Sequence, residues 1–250
     1  MHRAKKPLQC HAVAVFLCRQ KVRRLNLRTN VYIDGYNLFY GCLKHSNDKW
    51  LDLYQLFANR IIYEQNPEAV VNTVYFFTAD IKSRISTQGE AAQKAQQSYH
   101  RALEKIYPDN MKIIKGYYAL EKGNLLRYKQ PPDKSDRVEV WRLEEKQTDV
   151  NITLTAYRDA IQNKAQQVVF VTNDTDIEPA LKALREDMGN TIVIGIIIPI
   201  RLNSRRPQNQ RLSKYADWTR SYITDDELAG SHLPDKIATT KKPILKPEYW

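Results

Sequence analysis

Short runs rich in β-branched and aromatic residues alternate along this chain with segments of helical periodicity. The strand-like runs span residues 30–33, 70–77, 111–115, 168–172 and 191–198. Helical patterns cover residues 51–64 and 89–106, and two more follow from Val150 and from Ile177. Because parallel strands need a long crossover between them, this alternation predicts an α/β fold with a parallel sheet and right-handed crossovers.

One stretch departs from the alternation before the third helical pattern. The apolar runs 125–128 and 138–141 flank a polar turn at residues 131–135. This arrangement predicts an inserted hairpin near residues 117–141. Beyond Pro199 the pattern loosens, but the apolar residues Leu212, Trp218 and Ile223 could pack back as a closing element.

The positive charge is concentrated at the start of the chain. The 250 residues carry a formal charge of +11, yet eight of the 39 basic residues lie in the first 28 positions, which hold no acid. The remaining 31 basic residues exceed the 28 acidic ones by three. The charge therefore favours a nucleic-acid partner only weakly for the body of the chain.

Composition and length suggest one domain with two appendages. At 42% hydrophobic residues the chain can bury one sizeable core. We expect residues 1–27 to form a disordered basic extension, residues 28–228 to form the domain, and residues 229–250, with three prolines, to form a tail.

Several classes of protein are disfavoured by what the sequence lacks. Three cysteines without a close pair indicate neither a disulfide framework nor a thiolate zinc site, which fits a reducing cytoplasm. The five histidines are scattered and do not suggest histidine-based catalysis. No run is long enough to span a membrane, and no glycine-rich motif predicts a nucleotide cofactor. Self-association into a homo-oligomer stays open.

Carboxylates follow two of the predicted strands. The run Val31-Tyr32-Ile33 ends at Asp34, and the run 168–172 leads into Asp174 and Asp176. A strand order of 3-2-1-4-5 would place these strands side by side, with the acids at their carboxyl ends. Crowded carboxylates repel one another unless a cation neutralises them, and hard oxygen ligands favour Mg²⁺ or Mn²⁺.

Each acid also has a purely structural explanation. Asp174 or Asp176 could cap the helix that Pro179 helps to start. Asp149 would lie in the first turn of its helix, where a negative charge stabilises the helix dipole. Asp34 could bond to its own turn through Gly35. Taken one residue at a time, the sequence favours the structural role for Asp149 and Asp176, and it favours neither role for Asp34 and Asp174.

Three motifs together carry a family resemblance. They are Val31-Tyr32-Ile33-Asp34-Gly35-Tyr36-Asn37-Leu38, Glu145-Lys146-Gln147-Thr148-Asp149 and Thr172-Asn173-Asp174-Thr175-Asp176-Ile177-Glu178-Pro179. In order and spacing they resemble the NYN domain, in the LabA-like branch of the PIN-like nuclease superfamily, from about residue 28 to about residue 228. The resemblance implies a Rossmann-like three-layer α/β/α sandwich and a metal-dependent ribonuclease.

The resemblance also implies roles for particular residues. Asp34, Asp149, Asp174 and Asp176 would be the catalytic, metal-binding acids. Asn37 would support the site from the first turn, and Lys146 would meet a phosphate near the entrance. One departure is Asn173, which stands where the family usually has a small residue.

Further contacts to RNA are suggested by residue type alone. Tyr36, beside the first motif, could stack on an unpaired base. Lys82 and Arg84, just past the second strand, could contact backbone phosphates, although an exposed loop explains them as well.

The leading hypothesis is an Mg²⁺- or Mn²⁺-dependent endoribonuclease acting on single-stranded or loop RNA. An alternative is a catalytically silent RNA-binding regulatory module on the same fold. A phosphatase with an aspartyl nucleophile is less well supported, because Asp34 and Asn37 replace the two closely spaced acids that it would need.

Overall fold

The computed structural model of the chain describes residues 26–204 and 210–250, so most of the expected basic extension, residues 1–25, lies outside the described residues. The strands are β1 Leu27–Asp34, β2 Ala69–Ala79, β3 Met111–Leu126, β4 Arg137–Lys146, β5 Gln167–Val171, β6 Val193–Ile197, β7 Trp218–Arg220, β8 Lys236–Ile237 and β9 Ile244–Leu245. The α-helices are α1 Gly35–Leu38, α2 Tyr63–Gln65, α3 Gly89–Ile106, α4 Thr148–Ile161, α5 Glu178–Met188 and α6 Asp225–Ala229. A π-helical segment, Phe39–Leu43, directly follows α1, and a second one, Gln55–Ile62, directly precedes α2.

Seven of the strands form one sheet in the order β4-β3-β2-β1-β5-β6-β7. The central strand β1 pairs in parallel with β2 on one side and with β5 on the other, so that Tyr32 lies between Tyr75 and Phe170. The five strands predicted from the sequence therefore lie in the predicted order 3-2-1-4-5. The strand β4 is antiparallel to β3.

Two hydrophobic cores cover the two faces of the sheet. Val31 and Ile33 belong to one core and Tyr32 to the other, because successive side chains of a strand point to opposite faces. The first core packs against Gln55–Ile62 and α3, and the second against α4 and α5. The expected three-layer α/β/α sandwich is confirmed.

The predicted hairpin is confirmed, but it is longer than expected and continues a strand of the main sheet. The first part of β3 pairs with β2 as far as Gly116 opposite Ala79. From Tyr117 onward the same strand pairs with β4, beginning opposite Lys146. The strand β3 therefore belongs both to the central sheet and to the hairpin.

The chain after β6 closes the sheet. Leu212 and Ile223 are fully buried, and Trp218 begins the edge strand β7, as the apolar pattern beyond Pro199 suggests. Among the described ranges 26–204 and 210–250, no helix has both the length and the hydropathy that crossing a bilayer requires.

The segment expected as a tail, residues 229–250, packs against the domain over part of its length. Leu233, Ile237 and Ile244 are buried in the first core. The indole Nε1 of Trp50 donates a hydrogen bond to the carbonyl of Pro234, and the ring of Trp250 lies 6.4 Å from that of Trp50. The buried residues are spaced singly among prolines and lysines, so no helical or strand periodicity marks them in the sequence.

Candidate functional site

The acids after β1 and β5 are connected through one threonine. Asp34 is the last residue of β1, and Thr172 directly follows β5. The hydroxyl of Thr172 donates to Asp34 Oδ2 at 2.9 Å and accepts the backbone N–H of Asp174 at 3.0 Å. The parallel pairing of β1 with β5 therefore fixes Asp34 and Asp174 beside one another.

Asp34 is buried and held by the first turn of α1. Its Oδ1 accepts the backbone N–H of Asn37 at 2.9 Å, and its Oδ2 accepts the side-chain amide of Asn37 at 2.5 Å. Asp34 thus caps α1, so it bonds to its own turn as the structural explanation of this residue predicts. Burial raises the pKa of Asp34, hydrogen bonds from Asn37 and Thr172 oppose this, and the charge of Asp174 raises it further.

The residue after Asp34 must be small because the backbone turns tightly against β2. A Cβ atom at Gly35 would lie 2.6 Å from the carbonyl oxygen of Phe77 and 2.8 Å from the ring of Phe76. A backbone carbonyl inside the sheet cannot move away easily. Glycine here lets the chain leave β1 while keeping the Asp34 carboxylate at the sheet edge.

Asp149 reaches the same region from the start of α4, directly after the hairpin. Gln147 adopts a left-handed conformation, with φ of 74°, between the end of β4 and the start of α4. Asp149 follows in the first turn of α4. Burial, and then the negative charges of Asp34, Asp174, Glu145 and Asp176, raise the pKa of Asp149 to about 6.

Three of the four predicted acids form a compact group. Carboxylate oxygens of Asp149, Asp174 and Asp176 all lie within 4.8 Å of one another. Asp34 is outside this group, but it lines one cavity of about 270 Å³ together with Asp149 and Asp174. The oxygen donors and their mutual repulsion fit a hard divalent cation. Asp174 also caps the turn that follows it, accepting the Asp176 N–H at 3.0 Å.

The cavity contains functional groups that sequence reasoning missed. Glu145 and Tyr118 lie opposite one another in the hairpin and both line the cavity. Burial raises the pKa of each. Thr148 donates to Glu145 at 2.6 Å. Glu145 stands in the second motif, but only the pairing of β3 with β4 shows that it shares a face with Tyr118.

The predicted RNA-contacting residues are spread around this centre. The Tyr36 ring lines the acidic cavity, with its centroid 4.4 Å from that of Tyr40. Lys146 lies at the end of β4, and its ammonium is paired with Glu144. Lys82 and Arg84 are exposed in the segment after β2, and neither lines the acidic cavity. The structure therefore brings Tyr36 to the acids, but not these three cations.

We expect Gly116→Ala to destabilise the protein by about 1–3 kcal/mol. A Cβ atom there would lie 2.4 Å from the carbonyl oxygen of Lys146 and 2.6 Å from Oγ1 of Thr148, directly before Asp149. Urea denaturation measures the change in the free energy of unfolding. Gly123→Ala is the matched control in the same strand, because its nearest neighbour would lie at an ordinary 3.4 Å. Equal stability of the two variants would contradict the close approach at Gly116.

Comparisons with known proteins found similarity to a domain family and to individual proteins. Residues 28–221 match the NYN domain family. A curated relative from Pseudomonas putida, named 6-hydroxy-3-succinoylpyridine 3-monooxygenase HspA, is 37% identical over 244 residues, which cover 90% of this chain and 75% of that protein. A crystal structure of a protein of unknown function from Vibrio parahaemolyticus is 17% identical, with a TM-score of 0.47, covering 80% of this chain and 95% of that one. The family match includes both strand ends that carry the acids.

Proposed function

The chain belongs to the NYN domain family, whose fold is of the nuclease type, and from this premise we propose that it is a metal-dependent ribonuclease. The observation that carries the proposal is the group of three carboxylates within 4.8 Å of one another, beside the buried Asp34. The motif order further supports membership of the LabA-like branch. The proposed reaction is endonucleolytic hydrolysis of phosphodiester bonds in single-stranded or loop RNA, in the cytoplasm.

In this proposal Asp149, Asp174 and Asp176 hold Mg²⁺ or Mn²⁺, and Asp34, which lines the same cavity as Asp149 and Asp174, adds negative charge beside them. When bound, such an ion lowers the pKa of a coordinated water and offsets charge on the phosphodiester. Asn37 and Thr172 keep Asp34 oriented through hydrogen bonds to its carboxylate.

The cations and aromatic residues around the site would position the RNA. Tyr36 presents an exposed ring for stacking. Lys82 and Arg84 could bind backbone phosphates farther along the strand, since both are exposed. Lys146 would contact a phosphate after exchanging its partner Glu144.

The alternative is an RNA-binding module without catalysis. One observation favours it, because Asp34 and Asp174 each cap a helical turn and so have a structural role without any metal. Incubating the purified chain with a mixed RNA pool in Mn²⁺ or Mg²⁺, with an EDTA control, separates the two. Cleavage abolished by EDTA supports the ribonuclease, whereas RNA binding without cleavage in any divalent ion supports the module.

The name of the curated relative suggests a third activity that the same preparation can test. Oxygen uptake with 6-hydroxy-3-succinoylpyridine and a reduced nicotinamide would support a monooxygenase. We expect none, because β1 leads into Asp34-Gly35-Tyr36-Asn37 and not into a G-x-G-x-x-G motif for a dinucleotide.

Thermal stability should depend on pH and on Mn²⁺ in a linked way. The folded state of the metal-free protein retains the Asp149 proton up to about pH 6, because its pKa is raised well above the usual range of an aspartate. The contribution of this proton to the free energy of unfolding is fully present below the pKa of Asp149 in the unfolded state. It is lost as pH rises through the pKa of Asp149 in the folded state. Metal binding requires the ionised carboxylate, so the increase in Tm caused by Mn²⁺ should be larger above that pKa than below it.

Thermal unfolding across this pH range, with and without Mn²⁺, measures both effects. Asp149→Asn should weaken both the metal-free pH dependence and the response to Mn²⁺. An unchanged response to Mn²⁺ in this variant would remove Asp149 from the proposed ligand set.

A further inference from the structure

A second and larger cavity opens beside the acidic one. Its volume is about 760 Å³, within the range of about 300–1,000 Å³ that is typical of ligand pockets. The residues that line both cavities are Tyr36, Tyr40, Tyr118 and Glu145. A ligand bound across the acids could therefore extend into this second space.

The walls of the larger cavity carry several aromatic rings. Phe76, Tyr99 and Trp250 are among the residues that line it. Tyr36 and Tyr40 stand at the junction of the two cavities with 44% and 43% of their surface exposed. Exposed rings in this position can stack on a planar heteroaromatic group.

The charge of the cavity lining differs from that of the acidic site. Lys44, His45 and Lys49 line the larger cavity, and among the residues described for it Glu145 is the sole acid. The Nζ atom of Lys44 lies 4.7 Å from the ring centroid of Tyr40. Cations beside an aromatic platform suit a ligand that combines a flat ring with a phosphate.

A buried polar side chain in the wall has unused hydrogen-bonding capacity. His100 is 5% exposed and lines the cavity, and within the described part of the chain its Nδ1 has no hydrogen-bond partner. Burial lowers the pKa of His100 to about 4, so the ring is neutral at pH 7 and offers one donor and one acceptor. Leaving such an atom unpaired is costly, which is why buried polar atoms usually have a partner.

We propose that this cavity binds one unstacked nucleobase of a single-stranded RNA whose backbone crosses the acidic cavity. Tyr36 and Tyr40 stack against the base, and Lys44 and Lys49 contact neighbouring phosphates. The Nδ1 atom of His100 gives the wall a hydrogen-bonding group. A nucleobase can pair with it, whereas an apolar ring would leave it without a partner. The inference rests on the proposed ribonuclease function, because it assigns a substrate contact next to the same acids.

The test is a binding measurement that does not depend on cleavage. A fluorescently labelled short single-stranded RNA and the same strand made abasic are titrated with the full chain in EDTA. We expect the natural strand to bind about 5- to 150-fold more tightly, as one stacked base contributes about 1–3 kcal/mol. Ala92→Trp, which places a large ring into the cavity from α3, should abolish this preference.

Ala91→Trp is the matched control, because Ala91 is the adjacent, exposed residue of α3 and does not line the cavity. Equal binding of the natural and abasic strands by the unmodified chain would overturn the proposal, whether or not Ala92→Trp folds. A preference that survives in folded Ala92→Trp would also overturn it. Cleavage in Mn²⁺ is scored separately, so failure of the ribonuclease proposal and failure of the base pocket give different results.

Discussion

Asp174→Asn is expected to reduce RNA cleavage in Mn²⁺ by about a hundredfold to a thousandfold or more, the scale seen when one preorganised electrostatic contact to a transition state is removed. The amide keeps the size of the side chain but removes a negative charge from the group formed with Asp149 and Asp176. It can still accept the N–H of Asp176, so the turn after β5 should persist. Single-turnover cleavage of a labelled RNA measures the loss.

The controls separate chemistry from folding. Asp109→Asn changes an exposed acid in the turn before β3 and should retain full activity. Asp34→Asn should be inactive as well, because Asp34 lines the same cavity. Circular dichroism and the unfolding midpoint establish that each variant is folded. Undiminished cleavage by a folded Asp34→Asn, Asp174→Asn double variant would defeat the ribonuclease assignment.

Trp50→Ala should lower the free energy of unfolding by about 3–5 kcal/mol, the range for truncating a large buried aromatic residue. Trp50 is fully buried, and its ring contacts Tyr99 and Trp250. Its Nε1 also donates to the carbonyl of Pro234, so the change removes an attachment point of the C-terminal segment. Urea denaturation measures the stability, and limited proteolysis should show faster cleavage after residue 229.

Tyr128→Ala is the matched aromatic control. Tyr128 lies in the loop of the hairpin with 89% of its surface exposed, so its loss should change stability by less than about 0.5 kcal/mol. Similar losses in the two variants would mean that the packing around Trp50 contributes little. Unchanged proteolysis of Trp50→Ala would show that the C-terminal segment is held by other contacts.

The sequence predicted the central sheet because each strand carries its own local signal. The apolar run ending at Asp34 and the run before Asp174 are short, β-branched and followed by turn residues. Their adjacency follows from the rules for parallel sheets, which are general and need no detail of packing. This explains why the convergence of Asp34 and Asp174 on one cavity could be anticipated, whereas Asp149 was placed there only by the family resemblance.

Other parts of the site depend on contacts that have no local pattern. Glu145 lies in a run of charged residues, which is typical of a solvated surface. Only the pairing of β3 with β4, which sets Glu145 opposite Tyr118, places it in the cavity of the acids. Ile237 and Ile244 are single apolar residues in a polar segment, yet both are buried in the core. The ion pair between Lys146 and Glu144 joins neighbours of one strand, which a prediction from residue type does not reveal.

The position of β1 in the middle of the sheet has a consequence for synthesis of the protein. Its register partners on β5 are more than 130 residues away, with Asn30 opposite Val168. Pairing between such distant segments is slow, because a long loop must close before any contact forms. A growing polypeptide on the ribosome therefore cannot assemble the acidic group until β5 and the residues up to Asp176 have emerged, so the nascent chain stays without its proposed cutting centre until translation is well advanced.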